Sequence, residues 1–167
     1  MIWRKDGFTS PGDLAVRYGP CFEFMFVMVR GALGVFKPIK DRLNKSYGRG
    51  KTGTIRLQDG SLTGMSSCGR VGAKYGQRFN VWDLASCKSR EDRVGHPAPF
   101  PIRLAQDHIV SWSNKDATVL DPFAGAASTG IAALRTGRRF VGIERDPEYF
   151  DMAKARLEAE IEGERNK

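Results

Sequence analysis

The chain has 167 residues, 41% of them hydrophobic, with a formal net charge of +8. That length suits one domain, since about 100–200 residues per domain is usual, and the apolar fraction suffices for a core. No apolar run approaches the roughly 20 residues of a membrane span, no signal-peptide pattern follows Met1, and the cation surplus suits a polyanionic partner such as nucleic acid.

The three cysteines, Cys21, Cys68 and Cys87, form no C-x-x-C pair, which predicts free thiols in a reducing cytoplasm. Cys68, Cys87, His96 and His108 lack the spacing of a zinc site, so no metal is expected.

Met1 to Lys5 reads as the end of a strand whose beginning is missing. Thr9 to Asp13 is a loop by its turn chemistry. Phe22, Phe24, Phe26 and Met28 alternate with Glu23, Met25, Val27 and Val29, which predicts a long strand buried on both faces. Gly31 and Gly34 bracket a turn, and Val35-Phe36 begins the return strand of a hairpin. Glu23 is expected at a strand edge, meeting nearby backbone or Arg17.

Residues 37–93 change character. Thirteen cations face five acids there, a surplus equal to the whole net charge of the chain. Eight glycines fall between Gly48 and Gly76, and Asp59-Gly60 between TIRLQ and SLTG signals a hairpin. Such a basic segment, with Tyr47, Tyr75 and Phe79 interspersed, has what a DNA-contacting insertion needs: cations for phosphate, backbone amides, and rings for stacking. Lys45, Arg49, Lys51 and Arg56 are the expected phosphate contacts. The alternative is a solvated loop.

Val81 to Leu84 returns to a short strand. His96-Pro97-Ala98-Pro99-Phe100-Pro101 then leads into an amphipathic helix, with Ile102, Ala105, Ile109 and Trp112 on one face and Pro101 in its first turn. Thr118-Val119-Leu120 is a short buried strand ending at Asp121. Pro122 and Gly125 turn the chain, and a helix is expected from Ala126 to Leu134, ended by Gly137 with Arg135 near its C-terminus. Phe140 to Ile143 is the next buried strand, with Glu144 at its tip. Asp146-Pro147 caps a final helix whose Tyr149, Phe150, Ala153, Leu157 and Ile161 face inward.

Strand, turn, helix and strand from Ala117 to Asp146 form a parallel crossover, which places ligands beyond the carboxyl ends of the strands. The turn is no P-loop, because Ile131 and Ala132 follow Gly130 where Lys and Ser/Thr are needed. Nor is it the G-x-G-x-x-G fingerprint, since Gly125 and Gly130 have no glycine between them. The remaining pattern, Asp121-Pro122-Phe123-x-Gly125 with an acid after the next strand, resembles the cofactor motif of S-adenosylmethionine-dependent DNA amino-methyltransferases. HPAPFP resembles the segment that precedes this motif in the same family and covers the methionine moiety. The order, with the cofactor motif near the C-terminus, looks like the circularly permuted class.

The resemblance covers nearly the whole chain. It implies an α/β, Rossmann-like methyltransferase fold in incomplete form: one partial domain over residues 1–167, with residues 37–93 as its DNA-contacting insertion. The implied function is methyl transfer to adenine N6 or cytosine N4 of double-stranded DNA, in a prokaryotic or phage-infected cell. Cofactor contacts would fall on His96, Pro97, Phe100, Asp121, Pro122, Phe123, Gly125, Ala127 and Glu144. Two acceptor oxygens on Glu144 match the two ribose hydroxyls. Ala127 stands where the family has its second glycine. A positive φ there would cost alanine about 1 kcal/mol, and its methyl would crowd the ligand.

The family's Asp/Asn/Ser-Pro-Pro-aromatic tetrad is absent, as the chain holds no Pro-Pro pair. Asp146-Pro147-Glu148-Tyr149 reads fully as a helix cap, so no catalytic residue is assigned. Two readings follow: an enzyme, as a segment of such a methyltransferase or as a subunit completed by a separate polypeptide that supplies the N-terminal part, or a non-catalytic DNA-binding remnant. In the family fold a strand lies between Thr118–Asp121 and the strand ending at Trp3. Its absence predicts unpaired edges on both.

Overall fold

The computed structural model describes residues 1–5, 20–32, 34–50, 53–64, 70–85 and 100–166. In chain order the elements are β1 (Ile2–Arg4), β2 (Phe22–Phe24), β3 (Arg42–Leu43), β4 (Thr54–Arg56), β5 (Leu62–Gly64), β6 (Tyr75–Gly76), β7 (Val81–Asp83), α1 (Ile102–Trp112), β8 (Thr118–Asp121), α2 (Ser128–Arg135), β9 (Arg139–Gly142) and α3 (Pro147–Arg165). They fall into two compact units, Met1–Lys37 with Asn80–Lys167, and Pro38–Phe79. Among the described residues no helix is long and apolar enough to cross a membrane.

The first unit holds two small sheets. In one, β1 lies between antiparallel β2 and parallel β7, with Trp3 opposite both Glu23 and Trp82. The strand ending at Trp3 is therefore paired on both sides, which corrects the expected free edge. That partner lies about 80 residues away in sequence, and local pattern carries no long-range pairing. In the other sheet, β8 and β9 pair in parallel, Val119 opposite Phe140 and Asp121 opposite Gly142. Among the described residues no ladder joins the two sheets.

Helix α1 links them. Its Leu104 packs with Trp3 and Trp82, while Ile102, Ala105 and Ile109 pack on Ile131, Ala132 and Ala133 of α2. Each buried leucine or isoleucine among them contributes about 1.5–3 kcal/mol, and each alanine less. Pro101 stands one position outside the helix, as its N-cap. Phe100 packs against both clusters. Gly130 lets α2 approach closely: a Cβ there would lie 2.7 Å from the Phe140 ring and 2.8 Å from Leu157. Arg135 pairs with Glu160 at 2.8 and 2.7 Å, tying α2 to α3.

The run from Phe22 to Val29 departs from expectation. Only Phe22–Phe24 is strand, and Phe24, Phe26 and Met28 are 64%, 77% and 86% exposed. A strand extends as far as its neighbour does, and β1 is three residues long. No return strand forms at Val35-Phe36; Phe36 instead stacks on Trp112, 4.6 Å between ring centroids. Glu23 pairs with Lys5, while Arg17 lies outside the described residues.

The second unit is built from two short ribbons, β3 with β6 and β4 with β5. The β4–β5 hairpin turns at the expected Asp59-Gly60. Asp59 accepts from the N–H and the hydroxyl of Ser61, bonds that hold its carboxyl below the usual range. Gly60 takes the left-handed conformation the turn requires, φ 84°.

Candidate cofactor-binding site

At the carboxyl ends of β8 and β9 the chain makes the turn that the sequence singles out. Asp121 Oδ1 accepts from the N–H of Phe123 at 3.0 Å, closing the first bend. Phe123 is then carried into solvent, 88% exposed. Gly125 follows at φ 48°, and Ala127 at φ 59°, ψ 35°, caps α2 from the left-handed region. The helix consequently begins at Ser128, two residues later than the apolar spacing predicts.

The positive φ at Ala127 is the conformation that makes alanine costly there, about 1 kcal/mol against glycine. The residue is fully buried, and it lines a cavity that also reaches Glu144.

Glu144, just past β9, is half-buried and bridges two segments. Its Oε2 accepts from Gly125 N–H at 2.8 Å and its Oε1 from Asp146 N–H at 2.9 Å. A carboxylate offers about four lone-pair sites, the acceptor chemistry that a vicinal diol donates to. Opposite, the Arg156 guanidinium on α3 donates to the carbonyl of Ala126. The turn is thus held by an acid on an amide and a cation on a carbonyl. Arg156 carries little sequence signal beyond preceding Leu157 of the inward stripe.

Asp146 caps α3 as expected, its Oδ1 accepting from Glu148 N–H at 2.9 Å and Tyr149 N–H at 3.4 Å. This is the cap geometry that the sequence assigned to Asp-Pro-Glu-Tyr. Of the inward stripe on α3 only Ala153 is buried; Phe150 and Ile161 are 51% and 39% exposed. They border a cavity of about 280 Å³ between α3 and β9 that also reaches Glu144.

Among the remaining expected site residues, Pro122 is in the turn beside Asp121, and Phe100 precedes α1. His96, Pro97 and Lys51 lie outside the described residues. Lys45, Arg49 and Arg56 are all exposed in the second unit, where Arg56 donates to Gly60 O at 2.8 Å. Leu43, Tyr47, Val71 and Phe79 are more than half exposed in the same unit, and Arg42 lies over the Phe79 ring at 4.3 Å.

Known proteins bear on this arrangement. The chain is 37% identical over 163 residues to the orphan methyltransferase M.BamHII of Bacillus amyloliquefaciens, covering 94% of this chain and 60% of that protein. It is 41% identical over 80 residues to the DNA adenine methyltransferase YhdJ of Escherichia coli, covering 47% of this chain and 27% of that one. Among solved structures, the M1.HpyAVI–SAM complex matches with a TM-score of 0.60 and 26% identity, over 94% of this chain and 60% of that one. The chain thus spans about three fifths of the length of M.BamHII and of M1.HpyAVI, and its fold is the Rossmann-like methyltransferase arrangement in incomplete form. A DNA methylase family profile matches residues 1–155, and the chain belongs to that N6/N4 DNA methylase family.

Proposed function

We propose that this chain is the cofactor-binding and DNA-contacting part of an S-adenosylmethionine-dependent DNA methyltransferase acting on adenine N6 or cytosine N4. The observation that carries the reading is the latched turn: Gly125 and Ala127 at positive φ, with the Glu144 carboxylate on the Gly125 amide, beyond the ends of two parallel strands. S-adenosylmethionine would supply the electrophilic methyl group. Glu144 would accept from its ribose hydroxyls, and Asp121 and Phe123 would line the methionine end. His96, Pro97 and Phe100 would cover that end from the segment before α1.

The second unit would contact double-stranded DNA. Exposed Lys45, Arg49 and Arg56, with Lys51, supply charge for phosphates, and exposed rings supply stacking surface. Residues 37–93 serve in this reading as an insertion within one partial methyltransferase domain.

Transfer to an exocyclic amine needs a flipped base held by a polar acceptor and an aromatic ring. The 167 residues contain no Pro-Pro-aromatic tetrad for that role. In this reading the tetrad belongs to a part of the methyltransferase outside these 167 residues, on the same polypeptide or on another. Incubation with duplex DNA and radiolabelled S-adenosylmethionine tests this: the chain alone transfers no label, and addition of the tetrad-bearing polypeptide restores transfer. Turnover by the chain alone would contradict the assignment.

A further inference from the structure

The β4–β5 hairpin stands free within the second unit. Among the described residues its strands pair only with each other, Ile55 opposite Thr63 and Arg56 opposite Leu62. Every residue from Gly53 to Gly64 is exposed, so neither face of the ribbon is covered. The tip is nonetheless tied: Leu57 N–H donates to Ser61 O at 2.9 Å, and Arg56 Nη1 to Gly60 O at 2.8 Å.

Opposite residues of an antiparallel ladder share a face, and successive ones alternate. Ile55, Leu57 and Thr63 therefore lie on one face, and Arg56 with Leu62 on the other. Ile55 and Leu57 are 46% and 47% exposed, an apolar pair left in water on the same side of the ribbon. Grouped apolar surface, unlike single exposed residues, marks a contact surface.

The unit that carries the hairpin, Pro38–Phe79, has nine cations and two acids. Both acids are engaged within it, Asp41 by Arg78 at 3.0 Å and Asp59 by the N–H of Ser61 at 2.9 Å. The charge selects a polyanion, and a second copy with the same surplus is repelled. The apolar pair selects a polyanion that also offers apolar groups. Duplex DNA has both, because thymine methyls line its major groove. That groove, about 12 Å wide, admits a two-stranded ribbon, whereas two strands about 4.8 Å apart with their side chains exceed the minor groove of about 6 Å. We propose that the β4–β5 hairpin enters the major groove, with Ile55 and Leu57 on thymine methyls and the Arg56 face toward a phosphate strand. The proposal deepens the reading of the second unit as a DNA-contacting insertion and rests on it. Phosphate contacts carry no sequence information, and the hairpin supplies it.

The test selects binders of the 167-residue chain from a random-sequence duplex pool, then remakes the selected duplex with uracil in place of thymine. Uracil keeps every hydrogen-bonding group and lacks only the methyl. The wild type should bind the thymine duplex more tightly, by about fourfold for each methyl contacted. Ile55→Ser/Leu57→Ser should bind both duplexes alike while its salt slope stays that of the wild type, which also shows that the variant is folded. Leu62→Ser, on the opposite face, should keep the thymine preference. Equal wild-type affinity for the two duplexes overturns the proposal. So does a preference that survives in the double variant or is lost in Leu62→Ser. Salt-dependent binding without the preference leaves the reading of the second unit standing, whereas absence of salt-dependent binding removes both.

Discussion

Arg156 of α3 donates through Nη1 to the carbonyl oxygen of Ala126, one residue before the left-handed Ala127. A charged donor on a backbone carbonyl is worth about 1.5–3 kcal/mol. Arg156→Ala should therefore lower stability by about 2 kcal/mol in denaturant titration. It should also weaken S-adenosylmethionine binding, because the turn loses its hold on the α3 side. Unchanged affinity in a folded variant would assign Arg156 a packing role alone.

Ala127 is strained in its backbone while its side chain is buried. Ala127→Gly removes the left-handed penalty, so the variant should gain about 1 kcal/mol, partly offset by greater unfolded-chain entropy. Calorimetric titration should show tighter cofactor binding, since the turn then adopts its conformation without cost. A variant no more stable and no tighter in binding would mean that the surroundings already absorb the strain.

His108 gives the first unit a pH dependence. Burial lowers its pKa below the ordinary value of 6.5, while the nearby Asp107 charge works in the opposite direction and the chain's N-terminus adds to the lowering. Its ring lies 4.7 Å from that of Trp82, and its Nε2 is 3.1 Å from the Met25 sulfur. Below about pH 6.5 the unfolded chain binds this proton more readily than the folded one. The stabilisation is complete above that pH and is lost as pH falls through the folded-state pKa. Thermal melts between pH 7.5 and about pH 5 should show a steeper decline for the wild type than for His108→Gln. Parallel declines would remove His108 as the cause.

The crossover from Thr118 to Asp146 was legible in sequence because each part carries a local signal. A short apolar run gives β8, Gly137 at φ 71° follows α2, and Asp146 caps α3. The burial that the apolar runs predict does not follow, since Leu120 on β8 and Val141 on β9 are exposed. The Phe22–Val29 run misled because alternation reports side-chain period, not whether a neighbour exists to pair with. Arg138 escaped for another reason. It is 8% exposed, donates to Ser113 Oγ at 3.1 Å and Ser113 O at 2.8 Å, and reaches Thr136 O. It sits where α1 and α2 both end, and two helix C-termini favour a cation there. Nothing in the sequence around Arg138 separates it from an exposed arginine such as Arg139.

DNA binding by the second unit should depend steeply on salt. Replacing Lys45, Arg49, Lys51 and Arg56 with Gln should flatten the slope of log K against log salt by about 0.9 for each phosphate no longer neutralised. Duplex binding with an unchanged slope would place the DNA surface elsewhere.

The claim on which the rest depends is that Glu144 and the turn it holds bind S-adenosylmethionine. Calorimetric titration of the cofactor into the wild-type chain and Glu144→Ala, with circular dichroism on both, measures this directly. Binding by the wild type, lost in a Glu144→Ala variant that keeps its helical signal, is the predicted result. Equal affinity in the two chains, or no heat of binding in the wild type, would contradict it.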